Sequence, residues 1–270
     1  MREYHVSRIT FHAAAALHSR LWTFFSHALL SSNMPVRFAF LVLQEHPYGR
    51  EMLRILVERG FRPGLIIEEA SPVADEERQK FLERIAGQPI PPTIADLIAG
   101  LGIPRQVVSN HNRAACREML AALAPEVVVL GGTRLLRPAV LAIPPRGTVN
   151  AHPGLLPWLR GSSSVGWALY KDLPVGATTH FVDAGTDTGA IILQRPLPVY
   201  RHDTYESINR RVLTLAGELM AETLALFAAG AVRATPQDPT VGETLRVIPP
   251  ELLAEAKSRL AQGCYSHFAD

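Results

Sequence analysis

From Val36 onward the chain alternates short apolar runs rich in β-branched residues with amphipathic stretches, and this rhythm limits the possible folds more than any other feature. "VRFAFLVL" (36–43) reads as a strand, and "YGREMLRILVERG" (48–60) as a helix that ends in glycine. "PGLIIEE" (63–69) is a second strand, followed by a loop-borne pair of helices in "DEERQKFLERIAG" (75–87) and "TIADLIAGLG" (93–102). "QVVS" (106–109) is the third strand, Asn112 is placed to cap a helix over 113–123, and "EVVVLGG" (126–132) is the fourth strand. Strands that alternate with helices require crossover connections and a mostly parallel sheet. Runs as uniformly apolar as "EVVVL" suit burial on both faces. The expected class is therefore α/β, a Rossmann-like, mostly parallel sheet flanked by helices.

In such sheets ligands bind beyond the carboxyl ends of the strands. The strand "GTVNA" (147–151) delivers Asn150 and His152 to that edge. Downstream, "VGATTHFVDAG" and "AIILQRPLPV" read as two strands joined by the tight turn "AGTDTG", which carries Asp187 between Gly185 and Gly189. A long helix follows from Thr204 to about Phe227, with Asp203 as its expected cap. The expected organisation is an N-terminal extension over 1–33, a catalytic body over 34–235 and a C-terminal tail over 236–270 with one short helix. The extension places apolar residues at helical spacing and reads as an added helix or a mis-assigned start before Met34, with a targeting segment as a further alternative.

Composition removes several function classes. A formal charge of +2 is too small to mark a nucleic-acid binder by electrostatics alone. Cys116 and Cys264 form neither a metal-ligand pair nor a disulfide framework, which fits a reducing cytoplasm. No apolar run approaches the roughly 20 residues needed to cross a bilayer. No metal site is expected.

An Asn amide and a protonated imidazole can together stabilise the oxyanion formed when a nucleophile attacks a carbonyl. A nearby carboxylate favours the charged imidazole and can relay a proton through water. Each piece alone is weak, since "N-x-H" is more often structural and a turn aspartate usually bonds its own backbone. The set needs no serine or cysteine nucleophile, so it suggests direct transfer of an acyl group to an external nucleophile.

"VNAHPGLLPWLRG" followed by "HFVDAGTDTGAIILQ" resembles the folate-dependent formyltransferases, a group with glycinamide ribonucleotide, methionyl-tRNA and amino-sugar members. The similarity continues upstream through "VVVLGGTRLLRPAVLAIPPRG" and downstream through "DTYESINRRV", spanning roughly residues 110–230. The resemblance implies a catalytic trio of Asn150, His152 and Asp187, and 10-formyltetrahydrofolate as donor. It puts the pterin near Leu130, Gly131, Gly132, Arg134, Leu135 and Leu136, and near Ala184, Gly185 and Thr186 of the turn. An amine would attack the formyl carbon while Asn150 and protonated His152 hold the oxyanion and Asp187 orients the imidazole.

Three departures bear on the acceptor. "LQEHPYGREM" replaces the glycine- and serine-rich phosphate loop of the glycinamide ribonucleotide enzymes, which argues against that role. The C-terminal β-barrel with which methionyl-tRNA enzymes assist tRNA binding is not expected, and no nucleic-acid partner is expected either. "GSSSVGWAL" carries serines where many relatives have proline. The expected acceptor is a small-molecule amine, either an amino sugar on a nucleotide carrier or an amine of specialised metabolism. Weaker acceptor candidates are Tyr48, Arg50, Asn110 and Arg160, with Glu45, His46 and Asn112 nearby. His180 reads as a sheet residue before a pocket residue, and Trp158 and Trp167 as packing residues.

Rival readings are a 10-formyltetrahydrofolate hydrolase, a methionyl-tRNA-type enzyme without the barrel, a folate binder without catalysis, and a nicotinamide dehydrogenase. The last lacks the glycine-rich fingerprint after the first strand. The hydrolase pattern includes an N-terminal regulatory domain that a 33-residue leader is too short to supply. The proline-rich tail is a candidate dimer contact.

Overall fold

The computed structural model describes residues 36–270, so the reading of residues 1–33 lies outside the described residues. In chain order the elements are β1 (Phe38–Leu43), α1 (Pro47–Glu58), β2 (Leu65–Glu69), α2 (Pro72–Arg84), α3 (Ile94–Ile98), β3 (Arg105–Val108) and α4 (Ala114–Leu123). They continue with β4 (Val127–Leu130), α5 (Pro138–Leu141), β5 (Thr148–His152), β6 (Leu159–Gly161), α6 (Ser164–Tyr170), β7 (Gly176–Phe181) and β8 (Ile191–Pro196). The last three are α7 (Tyr205–Ala228), β9 (Glu243–Leu245) and α8 (Pro250–Ala261).

Seven strands form one sheet in the order β3-β2-β1-β4-β5-β7-β8. The first five are mutually parallel, whereas β7 runs antiparallel to β5 and β8 antiparallel to β7. The Rossmann-like α/β expectation is met. Strand order reverses between β1 and β4, and crevices for ligands open at such a switch point. Both faces of the central strands are covered. Phe38, Phe40 and Val42 pack on one face with α1 and α7, and Ala39 and Leu41 on the other with Cys116 and Leu120 of α4. Phe40 is fully buried, and truncating such a ring to alanine costs about 3–5 kcal/mol.

The first turn of α1 lies hard against the end of β4. A Cβ on Gly49 would stand 2.3 Å from the Gly131 carbonyl oxygen, so only glycine lets the helix approach this closely. That contact puts the β1–α1 junction beside the "LGG" segment at the ligand edge.

Two expected caps differ. Arg113 occupies the N-cap of α4 without a side-chain bond. Asn112 instead braces another segment, donating to Leu135 O at 3.0 Å and accepting from Arg137 N at 2.7 Å. Thr204, not Asp203, caps α7 and shares a capping box with Ser207. Asp203 stands one residue earlier and accepts from Ser207 Oγ, Tyr200 N and Arg211. Asn112 finds its partners in a different segment, whereas Asp203 still bonds α7 through Ser207 and Arg211 without being its N-cap.

The tail packs on the body. β9 pairs in parallel with β6, and α8 adds Ala256 and Leu260 to a second core with Leu159, Val165, Leu169 and Ile208. The β6–β9 pair has no counterpart in the sequence reading, because three-residue strands carry no periodic signal. Among the described residues, no helix is long and apolar enough to cross a membrane.

Candidate active site

Asn150 and His152 are two apart on β5 and therefore project from the same face. β7 pairs beside β5 with His180 directly opposite Asn150, and the β7–β8 turn brings back Asp187. The three residues of the trio converge, together with His180. His152 Nδ1 lies 3.2 Å from Asp187 Oδ2, and His180 Nε2 lies 3.5 Å from Asp187 Oδ1 and 3.2 Å from Asn150 Nδ2. His180 is thus a sheet residue that also touches Asn150 and Asp187.

Hydrogen-bond chemistry assigns the protons. His180 Nδ1 faces the Phe181 carbonyl at 2.8 Å, and a carbonyl only accepts, so Nδ1 carries the hydrogen. Its Nε2 then accepts from the Asn150 amide, which leaves the second Asn150 N–H to give to a ligand oxygen. His152 Nε2 faces Leu159 O at 2.8 Å and therefore also carries hydrogen, with Ser164 Oγ at 3.1 Å. Nδ1 of His152 is left looking at the carboxylate.

The electrostatics set these groups against each other. Burial pulls the His152 imidazole below its ordinary range, and His180 adds to that fall. Asp187 and the Leu159 carbonyl pull the other way without overcoming it. Burial, with the ring about 2% exposed, thus opposes the protonated form that the carboxylate favours. Burial alone would raise Asp187, yet His152, His180 and the Gly161 N–H, which donates at 2.8 Å, hold it below the usual carboxylate range. Nδ1 of the buried imidazole therefore faces an ionised carboxylate at 3.2 Å, which would stabilise a proton arriving on Nδ1.

A cavity of about 500 Å³ opens at the same edge, lined by Asn110, Asn112, Arg113, Arg134, Leu135 and Arg137. The 130–136 segment forms part of its wall. Gly131 N donates to Leu41 O and Leu43 N donates to Gly132 O, both at 2.8 Å, which ties the segment to β1. Leu130 and Leu136 are buried behind it, and Leu135 is 68% exposed. Ala184 and Gly185 are exposed and Thr186 half-buried on the turn beside Asp187. Among the described residues no group of three His, Cys, Asp or Glu side chains stands where it could hold a metal ion.

The sequence model of one family, formyl transferase, matches residues 72–224. The chain belongs to the formyl transferase family. It is 36% identical over 148 residues to the methionyl-tRNA formyltransferase of Koribacter versatilis (strain Ellin345), covering 54% of this chain and 47% of that protein. The chain thus spans about half the length of the curated relatives it matches. Among solved structures it resembles glycinamide ribonucleotide transformylase 1 from Symbiobacterium toebii at 26% identity and a TM-score of 0.57, over 77% of this chain and 98% of that one. It shares the fold of a sugar N-formyltransferase from Shewanella sp FDAARGOS_354 at 18% identity and a TM-score of 0.55, over 78% and 76% of the two chains.

In this member of the family most of the weaker acceptor candidates have other partners. The Tyr48 hydroxyl donates to Ala151 O, and the ring is buried near Phe81. Burial, with Asp187 nearby, raises the Tyr48 phenol. Arg50 donates to Pro91 O and, at 2.8 Å, to Pro92 O, and pairs with Glu45. Arg160 is 5% exposed and bonds Gln237 and Asp238. These three candidates are corrected to bracing residues, because each side chain ends on a backbone or side-chain partner of this chain. Asn110 keeps a place on the cavity wall, with its Oδ1 accepting from Asn112 N at 2.8 Å. His46 takes the Tyr48 N–H on Nδ1 and meets Phe81 edge-on at 4.9 Å between centroids. Trp167 packs and donates to Arg246 O, while Trp158 is 56% exposed.

Two contacts were not foreseen. Ser164, from the "GSSSV" departure, is buried against His152. Gln237, in the tail, bonds the main chain at Asp187. The first had a visible sequence signal and the second had none.

Proposed function

We propose that this formyl transferase moves the formyl group of 10-formyltetrahydrofolate directly to the amine of a small-molecule acceptor. The observation that carries the reading is the convergence of Asn150, His152 and Asp187, with His180 holding the Asn150 amide, on the carboxyl edge of the sheet that also carries an arginine-lined cavity. The residues present suit a folate. Arg113 and Arg137 on the cavity wall match the carboxylates of its glutamyl tail, while Arg134 beside them is engaged by Glu69. Exposed Leu135 and the accessible backbone of residues 184–186 offer a flat ring an apolar surface and main-chain partners. When bound, the folate supplies the activated formyl carbon. The free Asn150 N–H would donate to the formyl oxygen as negative charge builds there. The Asp187–His152 pair would accept the proton lost by the attacking amine, through a water or directly.

Two observations support a small acceptor. The formal charge is only +2. The N-terminus of α1 is closed by His46 and roofed by Phe81, with Arg78 donating to Gln44 O, so a phosphate finds no open cradle there. The methionyl-tRNA enzymes among the relatives favour a second reading, in which the acceptor amine belongs to an aminoacyl-tRNA. The test is to incubate the protein with 10-formyltetrahydrofolate and either pooled amino sugars and small amines or charged initiator tRNA, then to look for a gain of one formyl group by mass spectrometry. A formylated small amine supports the proposal, formylated aminoacyl-tRNA selects the second reading, and formate release indifferent to any amine establishes a hydrolase instead.

A further inference from the structure

The carboxylate of Asp187 sits on a residue with φ 54°, in the left-handed region that disfavours a side chain. Such a residue keeps its direction only where neighbours over-determine it. Gln237 lies 50 residues downstream and makes two bonds to this turn. Its Nε2 donates to Asp187 O at 2.8 Å and to Gly189 O at 2.7 Å. Its Oε1 accepts from Arg160 Nε at 3.0 Å. The amide orientation is unambiguous, because carbonyls only accept and an arginine Nε only donates.

The bracket closes on itself. Arg160 is followed on β6 by Gly161, whose N–H donates to Asp187 Oδ2. One residue grips the carboxylate, and its neighbour grips the carboxamide that grips the carboxylate's own main chain. β6 is in turn held by β9, and the Ile191–Thr235 bridge anchors the chain leading into Gln237.

We infer that Gln237 is a positioning residue, whose carboxamide, aimed by Arg160, locks the 187–189 turn so that Asp187 meets His152. The role of this contact in turnover rests on the formyl-transfer reading, but the contact itself does not. Gln237→Glu keeps the size of the side chain and replaces two donors with a carboxylate that repels both carbonyls. It should alter the imidazole ¹⁵N signals of His152 in the unliganded full chain and leave those of His46 unmoved. With the acceptor amine found in the screen above, kcat should fall about tenfold to a hundredfold, as expected for a displacement on the order of 1 Å. KM for 10-formyltetrahydrofolate should stay within about twofold. Arg160→Lys should give a smaller change of the same kind, and Thr240→Ala, in the same stretch of tail, none. In the wild-type chain the two Gln237 side-chain amide protons should exchange slowly with solvent.

Unchanged His152 signals in folded Gln237→Glu overturn the inference, as does solvent-like exchange of those amide protons. A fall in kcat without any change at His152 also overturns it, since that is the mark of a general structural role. The His152 signals need no acceptor and no transfer. A failed amine screen therefore leaves the positioning contact standing, and a failed positioning contact leaves formyl transfer standing.

Discussion

Two buried histidine–carboxylate pairs lie at the ligand edge of this sheet, and they are built alike. His152 has Nε2 against a main-chain carbonyl and Nδ1 3.2 Å from Asp187. His111 has Nε2 3.0 Å from Ile67 O and Nδ1 3.3 Å from Glu69, the latter without hydrogen-bond geometry. What differs is the far side of the carboxylate. Glu69 takes two bonds from Arg134, one from Ser71 and the His111 N–H. Asp187 meets a second imidazole and one backbone N–H. A guanidinium never gives up its proton, so Glu69 is permanently neutralised and serves as an anchor for the cavity wall. Apart from the Gly161 N–H, Asp187 has only titratable partners, so its proton balance can change during a reaction. The same pairing thus makes structure in one place and chemistry in the other.

The most severe test of that contrast is Asp187→Asn. The amide keeps the shape but can neither accept a proton nor draw charge onto His152. Turnover should fall by about 10³-fold, the middle of the usual range for losing an acid–base partner. Urea stability should fall by less than in Glu69→Gln, because no guanidinium is left without its anion, although the ionised form that folding favours is lost. Glu69→Gln should do the reverse. Removing the anion from Arg134 and His111 should cost about 3 kcal/mol of unfolding free energy, the lower end for a broken buried pair, since Arg134 is a quarter exposed. Turnover at saturating folate should fall far less than in Asp187→Asn. Equal losses of activity in the two variants would erase the distinction.

A buried imidazole without a carboxylate partner sharpens the comparison. His46 has no carboxylate opposite it, and burial, with Arg84 and Arg78 adding to it, lowers its pKa to about 3. Between its ordinary value of 6.5 and about 3, the unfolded chain binds a proton that the folded chain refuses. Stability therefore rises with pH across that window and is lost as pH falls. At 1.36 kcal/mol per unit, His46 alone should cost about 2 kcal/mol between pH 7 and pH 5. His46→Asn keeps an acceptor for the Tyr48 N–H and does not titrate. Its urea midpoint should consequently vary less with pH over this range than that of the wild type. His152 and His111, each with a carboxylate to oppose burial, should contribute with the same sign but less steeply.

The sequence revealed those parts that local chemistry determines. The five parallel strands stand out as β-branched runs, and Asn150, His152 and Asp187 stand out because two motifs occur in the expected order. The destinations of Tyr48, Arg50 and Arg160 did not, since a polar side chain that braces a distant carbonyl looks the same in sequence as one that awaits a ligand. Gln237 was hidden for the same reason. Its partners are 48 to 77 residues away, and no periodicity or spacing links it to them. Asn112 shows how a correct residue can carry a wrong role, since it looked like a cap and instead spans to the 135–137 segment.

The gentlest perturbation probes the far side of the His152 ring. Ser164 Oγ stands 3.1 Å from Nε2, where Leu159 O already accepts at 2.8 Å. Its removal leaves the Nε2 hydrogen satisfied, so Ser164→Ala should cost under about 1 kcal/mol of stability. It also removes a polar neighbour from a ring that burial already pulls below its ordinary range, and so should lower the His152 titration midpoint slightly. Turnover should fall by no more than a few-fold, with the acid limb of its pH profile moving in the same direction. A loss as large as that of Asp187→Asn would mean that the ring acts through Nε2 and Ser164, with Asp187 reduced to the anchoring part that Glu69 plays beside His111.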